Sequence, residues 1–138
     1  MSTKILKFPN KEKLEAKKIE KSLIQKAEEG DYLLFHFLAE MYVSGRVVEK
    51  DTSKAIGLYK KFLKEHSKRR VNIDPIEVLI KIGHLYMDEG NKYRAAETYI
   101  EAILQIIGDY KGKERDKAFK RYKVEKYLAK TGYQDLLI

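Results

Sequence analysis

The chain has 138 residues, enough for one domain of ordinary size with a real core. It has no cysteine, which excludes disulfide stapling, thiolate metal sites and thiol nucleophiles and fits a reducing compartment. Its formal charge is +8, and neither a bilayer-spanning apolar run nor the apolar core of a signal peptide stands in it, so a soluble, cytoplasmic protein is expected.

In chain order, residues 11–29 predict a helix with Ala16, Ile19, Leu23, Ile24 and Ala27 as its apolar stripe and Gly30 as its C-terminal cap. A second helix runs from Asp31 to about Ser44. It is apolar nearly all round, which predicts that it is sandwiched between neighbours. Gly45 ends it, 46–50 form a loop, and Asp51 is placed to cap a third helix from Thr52 to about Glu65. Gly57 inside that helix is expected to mark a close approach to the first helix. The basic segment from His66 to Ile73 connects to the clearest start signal, Asp74-Pro75-Ile76-Glu77, which opens a helix to about Glu89. Gly90-Asn91 turns the chain into a helix from Lys92 to about Ile107, and a last helix is expected over about 113–131, capped by Gly132. The tail after it, ending Leu-Leu-Ile, is expected to dock on the body. No strand pattern competes, so the class is all-α.

The order of residues repeats. Leu38, Ala39, Met41, Tyr42, Ala55 and Tyr59 are answered about 44 residues later by Ile82, Gly83, Leu85, Tyr86, Ala95 and Tyr99. Such periodicity marks hairpins that cannot bury their apolar faces alone and stack on neighbours. Ile82, Gly83, Tyr86, Gly90, Ala95, Tyr99 and Ala102 resemble the signature of a tetratricopeptide (TPR) repeat. Residues 30–66 resemble the related Sel-one-like repeat through Gly30, Asp31, Leu38, Met41, Tyr42, Gly45, Val48, Asp51, Lys54, Ala55, Tyr59 and Lys61. Departures are Phe62 at a usually small position, Ile107 where a Pro often ends a TPR, and Val47 in place of the second loop Gly. The resemblance implies a short α-solenoid of antiparallel hairpins, about six helices, in a single domain 1–138. Its parts are an N-terminal capping helix (11–29), a Sel-like repeat (30–66), a TPR-like repeat (74–109) and a C-terminal capping helix with its tail (113–138).

Chemistry is sparse. There is no phosphate-cradling glycine loop, no Gly-x-Ser-x-Gly and no His-Glu-x-x-His. His36 with Glu40 and His84 with Asp88 each share a helix face and would chelate a divalent ion only if their helices were adjacent; a satisfied or groove-lining histidine is the favoured reading. His66 is expected to be exposed. Tyr42, Tyr59, Tyr86 and Tyr99 read as packing residues with a peripheral hydroxyl.

Charge is uneven: residues 1–29 carry +3, residues 30–110 are neutral and residues 111–130 carry +6. Tyr110, Phe119, Tyr122 and Tyr127 interleave with the last of these cations. Lys117, Lys120, Arg121, Lys123, Lys126 and Tyr122 therefore form a candidate nucleic-acid patch, weighed against a solvated helix face.

The favoured function is a non-enzymatic adaptor or regulatory subunit, with no catalytic residue, metal or cofactor. The resemblance implies that first helices line a concave groove. Carried to matching positions, its candidates are Leu33, His36, Glu40, Val43 and Ser44 from the first repeat and Glu77, Ile80, His84, Met87 and Asp88 from the second. Their mixture of apolar and acidic side chains fits a partner segment with basic and apolar ones. RNA binding through the C-terminal helix is the alternative from another class, and a toxin-neutralising immunity-type protein the alternative within the binding class.

Overall fold

The structure, a computed structural model, describes residues 10–68 and 72–137. These form seven α-helices and a 3-10 turn, with no strand among the described residues: α1 (Asn10–Glu28), α2 (Leu33–Ser44), α3 (Thr52–His66), α4 (Pro75–Asp88), α5 (Lys92–Asp109), α6 (Gly112–Tyr122), α7 (Val124–Thr131) and the turn Gln134–Leu137. The chain divides into two compact units, Met1–Val71 and Asn72–Ile138.

In the first unit α2 packs between α1 and α3. The α2/α3 hairpin is antiparallel, because contacts run in opposite order along the two helices. Tyr32 stacks on Phe62, His36 meets Tyr59, and Lys54 lies over the Tyr42 ring. Small residues make the approach possible: Ala39 and Ala55 are fully buried, like the larger Leu38 and Phe62 of the same hairpin. The Asp51 carboxylate accepts the Lys54 amide at 3.0 Å, satisfying an orphan donor of α3 as its position predicts. The preceding loop holds Gly45 at φ 75° and Val47 at φ 69°. Val47 thus occupies the left-handed region that a β-branched residue disfavours and glycine fills at no cost.

Two expectations fail in this unit. His66 is buried at the end of α3, stacked on Phe62 at 5.4 Å. It lies one turn beyond Phe62 on the same face, which outweighs the basic residues that follow it. Gly57 is exposed, and a Cβ there meets nothing within 4 Å, so it marks no close approach.

In the second unit α4 pairs with α5, and α5 also carries α6 and α7. Asp74 caps α4 through the Ile76 amide at 2.9 Å and accepts the Tyr122 hydroxyl, fastening the last helical layer to the first. Gly83 is where the hairpin is tightest: a Cβ there would lie 2.4 Å from Cε1 of the buried Tyr99 ring. Arg115 closes the end of α5, donating to the carbonyls of Ile107 (2.8 Å) and Tyr110 (3.0 Å).

The expected single C-terminal helix is two. Lys123, at φ 58°, ends α6 and starts α7. Ala118, Tyr122, Val124 and Leu128 all belong to one core cluster. In a straight helix Tyr122 and Val124 would point about 200° apart. A left-handed residue between them turns both into the core. The tail makes its ring contact through Tyr133, edge-on to Tyr93 at 5.5 Å, while Leu136 stays exposed and Ile138 lies outside the described residues.

Candidate functional site

The repeat order pairs Glu40 with His84 and Tyr59 with Tyr99, and the two hairpins use these pairs alike. The Tyr59 hydroxyl donates to the Glu40 carboxylate. The Tyr99 oxygen lies 2.7 Å from His84 Nδ1. Each hairpin therefore anchors a buried tyrosine of its second helix to a polar residue on the outer side of its first. Burial, then the Glu40 hydrogen bond and charge, push the Tyr59 hydroxyl's pKa up. Burial, then neighbouring Tyr127 and Asp88, push Tyr99 up to about 12. His84 moves down, because desolvation outweighs the attraction of Asp88 and acts with the repulsion of Lys130. A neutral imidazole protonated on Nε2 leaves Nδ1 to accept from Tyr99, and the Tyr127 ring lies edge-on at 4.6 Å.

These contacts account for the His36–Glu40 pair. His36 Nε2 is 3.8 Å from the Glu40 oxygen that receives Tyr59, and its ring lies against Tyr59 and Phe62. Among the described residues no group of three or more His, Cys, Asp or Glu side chains comes together to hold a metal.

On α2, Leu33 and Ser44 are exposed, and His36, Glu40 and Val43 are half-buried. They form the helix's outer stripe. Phe37, one turn after Leu33, belongs to the same stripe and is the most open large side chain on α2, at 55% exposed against 39% for Leu33. Sequence reasoning missed it, because a helix apolar all round gives no sign of which apolar residue is left out. On α4, Glu77, His84 and Asp88 are exposed and Met87 is half-buried, with Lys81 exposed between them. Ile80 is different: at 9% exposed it belongs to the core cluster with Ala95, Tyr99 and Tyr122.

The C-terminal patch separates into cations and rings. Lys117, Lys120, Arg121, Lys123 and Lys126 are exposed. Tyr122 is buried, and Tyr110, Phe119 and Tyr127 are half-buried against the core. Arg121 lies over the Tyr122 ring, 4.6 Å from its centroid, and donates to the hydroxyls of Tyr110 and Tyr122. Lys117 sits 3.6 Å from Glu114. A base-stacking platform needs open aromatic faces, and these rings spend theirs on internal packing.

No protein-family model, no curated protein and no solved structure matches this chain.

Proposed function

We propose that the chain is a non-enzymatic protein-interaction module built from a Sel-like and a TPR-like hairpin, and that the outer stripe of α2 receives a partner segment. The observation that carries this reading is the exposed pair Leu33 and Phe37, with Glu40 about one turn further along the same stripe. Two large apolar side chains one turn apart favour a partner that takes them from water. The carboxylate favours a basic group next to the apolar anchor. The matching anchors Tyr59–Glu40 and Tyr99–His84 support the repeat reading, since unrelated hairpins have no reason to fix the same position in the same way. The exposed face of α4, with Glu77 and Asp88, supports an acidic contact for basic side chains in the second unit.

The test is affinity purification of the full chain with and without nuclease, followed by mass spectrometry. A protein that co-purifies in both conditions is the expected result. Loss of all co-purifying species on nuclease treatment would replace this reading with nucleic-acid binding through the lysines of α6 and α7.

A further inference from the structure

A concave pocket of about 310 Å³ lies in the first unit, away from the α2 stripe, lined by Lys13 and Lys17 of α1, Tyr42 of α2, Val48 to Lys50 and Asp51 of the loop, and Lys54 of α3. Four lysines from three segments of the chain line it. Their counter-charges are unequal to them. Lys13 is 3.6 Å from Glu49, and Lys54 is 3.6 Å from Glu20. Asp51 is committed to the α3 amide of Lys54. Lys17 and Lys50 have no carboxylate partner among the described residues. The lining side chains are four lysines against Glu49 and Asp51, and with Glu20 beside Lys54 the cluster keeps a net charge of +1. Like charges in a concavity focus a field that an anion relieves.

Val48 and Tyr42 are 3% and 4% exposed, so the surface open to a ligand is mainly that of the lysines and the loop. No arginine fork lines it, and bidentate carboxylate recognition favours arginine, whereas lysine serves phosphate as a point charge. A phosphate monoester carries about −1.5 to −2 at neutral pH, which the two lysines without a carboxylate partner can meet. The volume is at the small end of ligand pockets.

We propose that this pocket binds a phosphate monoester, with Lys17 and Lys50 as its principal charge partners. The same chemistry occurs in a free small molecule and in a phosphorylated tyrosine of a protein. The proposal stands independently of the α2 stripe.

The experiment is a titration of the full chain with phenyl phosphate, and separately with a short phosphotyrosine peptide and its unphosphorylated form, followed by amide NMR and calorimetry. Saturable binding is expected for the phosphorylated probes, with shifts centred on residues 48–51 and on the neighbourhood of Lys17. Lys17→Glu and Lys50→Glu should each weaken it about tenfold or more, while Lys111→Glu, in the other unit, should not. Equal affinity for phenyl phosphate and peptide assigns a free ligand; a peptide advantage of about tenfold assigns a protein-borne one. Three results would overturn the proposal: no saturable binding, shifts confined to the lysines of α6 and α7, or unchanged affinity in the Lys17→Glu, Lys50→Glu double variant with its fold intact by circular dichroism.

Discussion

Replacing Gly83 by alanine adds one methyl group at the tightest point of the α4/α5 hairpin. Its Cβ would lie 2.4, 2.7 and 2.9 Å from three atoms of the Tyr99 ring. Ordinary carbon contacts are about 3.5–4.0 Å, so the ring must retreat by roughly 1 Å. It has little freedom to do so, being 1% exposed, held by oxygen to His84 and flanked by Tyr127. Overpacking of this kind costs about 1–3 kcal/mol, and loosening the hydroxyl's hydrogen bond about 0.5–1.5 kcal/mol more. Alanine returns about 1 kcal/mol through its better helix propensity. A net loss of about 0.5–3.5 kcal/mol is expected. Gly57→Ala is the internal control: the position is helical and open, so only the gain of about 1 kcal/mol remains. Urea unfolding followed by circular dichroism should place Gly83→Ala below the natural chain and Gly57→Ala above it. Because two compact units need not unfold together, the second unit's transition is the one to read for Gly83→Ala and the first unit's for Gly57→Ala. A Gly83→Ala chain as stable as the natural one would refute the close approach.

Val47→Gly should stabilise by about 1 kcal/mol, read as a rise in melting temperature, because the left-handed backbone at φ 69° costs a β-branched residue while its half-open side chain packs little. Arg115→Ala should cost about 1–2 kcal/mol and speed amide exchange at the end of α5, since two carbonyls there lose their donor. Stability should fall as pH drops below about 6.5, the ordinary histidine value, because the unfolded chain then binds a proton that the folded His84 resists. His84→Gln, with an amide to meet Tyr99, should flatten that slope when unfolding is compared at pH 7 and pH 5.

What the sequence made legible was local. Asp51, Asp74-Pro75 and the glycines at 45, 90 and 132 mark helix ends through chemistry confined to a few residues, and the structure has those ends. The break at Lys123 was not legible, because lysine carries no left-handed preference and the cause is the need to point Tyr122 and Val124 at one core. Tyr122 looked like a surface ring among cations; its hydroxyl's partner, Asp74, lies 48 residues earlier. Gly57 and Gly83 look alike in sequence, and only the tertiary neighbour tells the idle one from the required one. Among the site residues, the face of α2 followed from helical spacing. Its most exposed member, Phe37, and the convergence of Lys13, Lys17, Lys50 and Lys54 did not, since both depend on which surfaces neighbouring segments leave uncovered.

The proposed role of the α2 stripe is tested most directly by calorimetry of the co-purified partner against the natural chain and Phe37→Glu. Phe37 is 55% exposed, so the change should leave the fold intact by circular dichroism. A carboxylate placed in a desolvated contact should cost about 2 kcal/mol or more, a loss of roughly thirtyfold in affinity. Unchanged affinity in a folded Phe37→Glu chain would contradict the assignment of α2 as the binding face.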